Sequence, residues 1–244
     1  MLGATCLGLI SGCLGALLGG VIGLVIDSKS KKIYASILEF TAGLMLAVVC
    51  FTLIPEAMEI SNISVCIIGY LVGIFMMLIL DKFIKVKETD IFDSSNNKGY
   101  LLGIMVAISI AIHNFPEGLA IGSGYEVSTA LGLSLFFAIA FHDVPEGASI
   151  TLLMKNNPNV SKLKMLVYVF LTGIPTGIGA LVGYLLGNIS STIVGLCLSF
   201  AGGVMAYVVM GNMLVEAKES YRGRLSTVCN LLGIVAGLIV CTLC

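Results

Sequence analysis

At 244 residues, 58% hydrophobic and 11% charged, the chain carries less than half the charge of an average soluble protein, about 25%. Together with a mean hydropathy of +1.06, this excludes a soluble globular domain. Its long unbroken apolar runs imply an all-α integral membrane protein. A net charge of -1 excludes a nucleic-acid partner, which needs a clustered basic surface.

Taking about 20 apolar residues per span, the chain divides into eight: 2–26, 33–56, 62–81, 100–122, 128–154, 163–187, 191–215 and 227–244. The first has neither a basic leader nor a cleavable-looking end, so it is expected to be a retained span. Every Lys and Arg follows an odd-numbered span: Lys29, Lys31 and Lys32; Lys82, Lys85, Lys87 and Lys98; Lys155, Lys162 and Lys164; Lys218, Arg222 and Arg224. The alternate connections, 57–61, 123–127 and 188–190, carry none. Basic residues mark cytoplasmic loops, so both termini are expected outside the cytoplasm. The expectation is one eight-helix transmembrane domain over 1–244, a multi-pass protein of the cell membrane with the lipid bilayer as its surroundings. Only 83–99 reads as an extended loop, cytoplasmic, with the polar run Ser94, Ser95, Asn96 and Asn97 and no His or Cys to hold a metal.

Internal repeats refine the architecture. Gly15-Ala-Leu-Leu-Gly19 in span 1 returns as Gly179-Ala-Leu-Val-Gly183 in span 6. Span 2 matches span 7 through Phe40 and Phe200, Gly43 and Gly203, Met45 and Met205, Val48 and Val208, and Glu56 and Glu216. Partners five spans apart point oppositely through the membrane, so spans 1–3 and 6–8 read as inverted repeats. The small residues of spans 1 and 6 recur every fourth position, a pattern that lets helices approach closely. Eight cysteines lie almost wholly in apolar stretches, where thiols pack as small hydrophobes, and the terminal Cys241 and Cys244 lack a second pair or a nearby His.

The chemistry concentrates in spans 4 and 5. His-Asn-Phe-Pro-Glu-Gly at 113–118 is echoed 29 residues later by His-Asp-Val-Pro-Glu-Gly at 142–147. Helical periodicity puts His113 and Glu117 on one face, and His142 and Glu146 on one face of the next span. Pro116 and Pro145 lack an N–H, which frees the carbonyls of Ile112 and Phe141 beside those residues. Ionisable groups at membrane depth mark an ion, proton or substrate site. Imidazole with carboxylate and amide oxygens suits Zn(II), Fe(II), Mn(II) or Cd(II) rather than Mg(II) or Ca(II). His113, Glu117, His142 and Glu146 form a four-ligand set, and Asn114 and Asp143 are placed to bind a second ion or to hydrate the path. Inverted-repeat transporters hold their cargo near the midplane on such interrupted helices. Glu56 and Glu216 read as interfacial residues or relays, and Glu39 as interfacial or paired.

These residues closely resemble the ZIP family of metal-ion transporters, of the bacterial type, along the whole chain. The resemblance implies divalent-metal uptake toward the cytoplasm, with His113, Asn114, Glu117, His142, Asp143 and Glu146 at metal-site positions. It also matches Met45, within Ala42-Gly-Leu-Met-Leu-Ala, to a span-2 methionine that approaches the metal. It implies no prosthetic group, a metal ion as transported substrate, a bundle of spans 1, 4, 5 and 6 sliding against 2, 3, 7 and 8, and often a homodimer. Members with a binuclear site resemble Ser-Gly-x-x-Glu-Pro in span 6, whereas this chain has Thr172-Gly-Ile-Pro-Thr-Gly177, with Thr176 at the Glu position. The rival classes are an intramembrane metal-dependent hydrolase and a proton-coupled carrier of an organic solute. The hydrolase is disfavoured, because no H-E-x-x-H is present and such an enzyme has no need of matched inverted repeats.

Overall fold

The computed structural model describes the backbone of residues 1–25, 30–92, 98–155, 157 and 160–243. The side chains of 81, 83–92, 98, 99, 101, 102, 105, 109, 113 and 243 lie outside that description. The described residues form long helices: α1 (Leu2–Val25), α2 (Lys31–Ile60), α3 (Ile63–Phe92), α4 (Lys98–Val127), α5 (Thr129–Met154), α6 (Lys162–Gly187), α7 (Ser191–Ser220) and α8 (Arg224–Leu243). Over their described residues, six of them, all but α4 and α5, are long and apolar enough to cross a membrane. α5 is diluted by His142, Asp143 and Glu146 in its second half.

Serine sets where four of the helices begin. The hydroxyls of Ser30, Ser128, Ser161 and Ser190 accept from the backbone N–H of Ile33, Leu131, Lys164 and Ile193. Each satisfies a donor that helical bonding leaves open, worth about 1 kcal/mol. Two helices change pitch midway: α2 loosens to a π-turn over Val49–Leu53 and α7 over Val208–Met213. These absorb one residue each and let α2 and α7 continue to Ile60 and Ser220, past the expected ends at 56 and 215. The expected loop 83–99 differs more: α3 remains helical to Phe92 and α4 starts at Lys98. No Gly or Pro occurs between Ile74 and Lys98, so nothing in the chain stops the helix where its apolar run ends. The polar run from Ser94 to Asn97 lies outside the described residues, as do Lys29 and Cys244. None of the described cysteines forms a disulfide.

The helices assort into two groups of four. α4 packs most extensively on α6, and α1 on both α5 and α6, with α4 also against α5. Separately, α2 packs on α8 and α3 on α7, and α2 meets α7. Four of the most extensively packed pairs share one device, a reciprocal pair of glycines each lying against the partner's backbone. A Cβ at Gly19 would strike the Val144 carbonyl and one at Gly147 the Ala16 carbonyl; Gly118 and Gly179 stand so to Thr176 and Phe115. In the second group Gly43 and Gly233 meet the carbonyls of Asn230 and Phe40, and Gly73 and Gly203 those of Phe200 and Tyr70. Only a residue without a side chain permits backbones this close. The large apolar core, from Leu44 and Met45 through Leu135 and Ile139 to Leu198 and Met205, joins the two groups.

Candidate metal centre

Both motif helices run through their prolines without leaving helical geometry. Together they bring Glu117 of α4 to His142 and Asp143 of α5, with one ligand atom of each within 4.8 Å of the other two. His142 Nε2 stands 3.0 Å from Glu117 Oε1 and 3.6 Å from Asp143 Oδ1. All three residues are at most 1% exposed. On the other side of the ring, Nδ1 lies 3.2 Å from the Ala138 carbonyl. A carbonyl only accepts, so Nδ1 carries a hydrogen there. The neutral ring then turns the Nε2 lone pair toward carboxylate oxygens, an arrangement that calls for a proton or a metal cation between them. A histidine ligand whose second nitrogen is anchored to a carbonyl is the usual way a protein aims such a lone pair.

Buried oxygens on α4, α5 and α6 lack hydrogen bonds. Asn114 is fully buried, and its Nδ2 donates to the Thr172 carbonyl at 2.8 Å, which fixes which way the amide faces. Asn114 Oδ1, Glu117 Oε2, both carboxylate oxygens of Asp143 and Thr176 Oγ1 are buried and make no hydrogen bond within the protein. Each such atom costs about 1–3 kcal/mol when left uncompensated. α1 closes the fourth side with glycine: a Cβ at Gly12 would press on the Thr176 side chain, and one at Gly15 would lie 2.8 Å from Asp143 Cβ.

Glu146, one helical turn beyond His142, is buried but stands outside the compact cluster. It lines a cavity of about 80 Å³ with Tyr34, Ser149, Asn212 and Glu216. The Tyr34 hydroxyl hydrogen-bonds Glu216 across this cavity. Asp143 stands against His142. Met45 is fully buried in the core shared with Ala138 and Ile139. The side chain of His113 lies outside the described residues. Glu39 is paired, as expected: Lys218 Nζ approaches its Oε1 at 2.7 Å. Tyr34, Ser149 and Asn212 were not singled out in the sequence, and their only signal there is polarity within apolar runs.

Known proteins extend this picture. Residues 86–244 match the family described as ZIP zinc transporter. The chain is 33% identical to the zinc transporter ZupT of Streptococcus mutans, over 91% of this chain and 89% of that protein. It is 31% identical to the ZupT of Clostridium perfringens, over 91% of this chain and 88% of that protein. With the ZupT of Chlorobium chlorochromatii the identity is 29%, over 91% and 89%. The likeness spans nearly the whole chain in each case and joins the apolar helices and the paired motifs: the protein is an integral membrane protein that belongs to the ZIP family of metal transporters.

Proposed function

We propose that this chain carries a divalent transition-metal ion, zinc foremost, across the cell membrane toward the cytoplasm. The ion passes a midplane site of Asn114, Glu117, His142, Asp143 and Glu146, with His113 and Met45 as further ligands. One observation carries the reading: five buried oxygens, on Asn114, Glu117, Asp143 and Thr176, make no hydrogen bond around the imidazole of His142. Membrane-spanning helices bear such uncompensated groups only where a cation or proton completes them. The mixed nitrogen and oxygen donors suit zinc, and equally iron, manganese or cadmium. Zinc comes first because the relatives are named as zinc transporters.

All eight helices span the membrane in this reading, in one domain over 1–244, with both termini outside. The placement of Lys and Arg supports that orientation. Matched packing supports the inverted repeats: α1 lies on α5 as α6 lies on α4, and α2 on α8 as α7 on α3. The π-turns of α2 and α7 start within one residue of equivalent places, at Val49 and Val208. α1, α4, α5 and α6 move together against the other four, and two copies associate as a homodimer. From the site the ion leaves past Glu146 into the cavity that reaches Glu216.

The test is flux of zinc, iron, manganese and cadmium into liposomes holding purified protein, with a chelating dye inside. Saturable zinc entry that Glu117→Gln removes is the expected result. Absence of flux for every metal under every gradient overturns the reading.

A further inference from the structure

A second cavity, of about 690 Å³, opens on the outer surface where the two helix groups face each other. Ile22 of α1 with Pro145 and Ala148 of α5 form one wall; Ile37 and Phe40 of α2 with Leu225 of α8 form the other. Its polarity is graded. Ser30 and Lys32 stand at the end where α2 begins, Ser36 lies one turn deeper, and the remainder is apolar. From Lys32 to Phe40 the helix rises about 12 Å. Lys31 and Arg224 are exposed at the same end, where α2 and α8 start. No carboxylate is among the described residues that line the crevice. An apolar slot with cations only at its mouth is complementary to an amphiphile with an anionic head.

We propose that this crevice is a specific site for one anionic phospholipid, its phosphate at Lys32 and one acyl chain running along Pro145 toward Phe40. The position gives the lipid a role. It touches α1 and α5 on one side and α2 and α8 on the other, so any displacement of one group past the other changes the slot it occupies. Val144 and Pro145 also follow His142 and Asp143 directly in α5, which couples the occupant to the back of the metal centre. The lipid site stands whether or not zinc is the cargo.

The chain contains no tryptophan, so Leu225→Trp provides a single fluorophore at the mouth. Leu232→Trp, on an exposed part of α8 outside the crevice, reports ordinary surrounding lipid. Each full-length variant is placed in phosphatidylcholine vesicles containing a minor fraction of brominated phosphatidylglycerol or brominated phosphatidylcholine. The expected result is about fivefold stronger association of the anionic lipid at Leu225→Trp, the contribution of one lysine near the surface, and no preference at Leu232→Trp. Adding Lys32→Ala, or filling the slot with Cys229→Phe, removes the preference. Equal quenching by the two lipids at Leu225→Trp overturns the proposal, as does a preference that survives either added substitution. Should Cys229→Phe fail to fold, Lys32→Ala, at an exposed position, decides alone.

Discussion

The group of α1, α4, α5 and α6 and the group of α2, α3, α7 and α8 are built by the same close packing and differ in where unsatisfied buried polar atoms gather. In the second group most of those atoms are closed off nearby, Ser36 Oγ beside the crevice being an exception. Ser199 bonds back to the Gly195 carbonyl at 2.7 Å, Thr41 to Ile37 at 2.9 Å, and Glu39 takes Lys218. In the first group Ser123 and Thr172 do the same with Leu119 and Val169, yet five oxygens around His142 are left without partners. Shared geometry with different polar satisfaction separates a part that holds shape from the part proposed to hold an ion. A buried polar group is costly unless something completes it, so the first group keeps its ordered form most readily with a cation present.

The largest effect should come from emptying that difference. His142→Ala removes a nitrogen that both Glu117 and Asp143 face, and zinc uptake should fall by about a hundredfold or more. Ser199→Ala, which only releases a carbonyl inside α7, should leave uptake within about twofold. Liposome flux at matched protein levels checks both. Comparable losses in the two variants would erase the functional distinction between the groups.

Next in size are the glycines, where the groups should behave alike. A leucine at Gly118 or at Gly203 meets a backbone carbonyl of the neighbouring helix, which no rotamer change can move away. Overpacking of this kind costs about 1–3 kcal/mol, more where the backbone must shift. Both variants should unfold at lower temperature in detergent. A neutral Gly203→Leu would mean that α3 and α7 do not depend on close approach.

The sequence already carried much of this architecture, and where it fell short the reasons are local. Apolar runs locate most helix ends to within a few residues, because that signal lies along a single helix. The π-turns were invisible: Val49–Leu53 and Val208–Met213 have ordinary apolar composition, and their loosened pitch is a response to neighbours. The 83–99 segment was read as loop from its charge, although charge ends a membrane span and not a helix. At the site, helical periodicity places residues along one helix only, and the depth and rotation of α4 against α5 decide which of them meet. That is why Asp143 stands with His142 and Glu117, while Glu146 opens on a cavity whose far wall, Tyr34, Asn212 and Glu216, comes from distant parts of the chain.

A smaller effect should follow from Lys218→Met, which leaves Glu39 buried without its cation. Lys218 is 46% exposed, so solvent screens the pair and the cost should be about 1 kcal/mol. Thermal unfolding should register it, and zinc uptake should persist. The double variant Lys218→Met with Glu39→Gln should recover most of the loss, because it removes the stranded charge as well. Loss of uptake in Lys218→Met alone would instead connect Glu39 to the transport path and weaken the contrast between the groups.

The finest test concerns how many ions the first group holds, and it rests on charge. Glu117, Asp143 and Glu146 supply at most three negative charges, whereas two dications carry four positive ones where little solvent compensates an imbalance. Thr176 brings a buried hydroxyl without a partner, beside the glycines at 12 and 118. It offers coordination but no charge, and water in its place would be no better. The native protein should therefore hold one metal tightly and a second weakly or not at all. Thr176→Glu should raise the metal-to-protein ratio at equilibrium dialysis from about one toward two, with Thr176→Gln, equal in size and neutral, staying near one. The α1 backbone lies against position 176 at Gly12, so the longer residue requires that helix to shift. Two metals bound per native chain at modest concentration would overturn the charge count and point to Glu39 or a backbone carbonyl freed by Pro175 as the missing ligand. A ratio that rises equally in the Gln variant would mean that coordination, not charge, had been limiting.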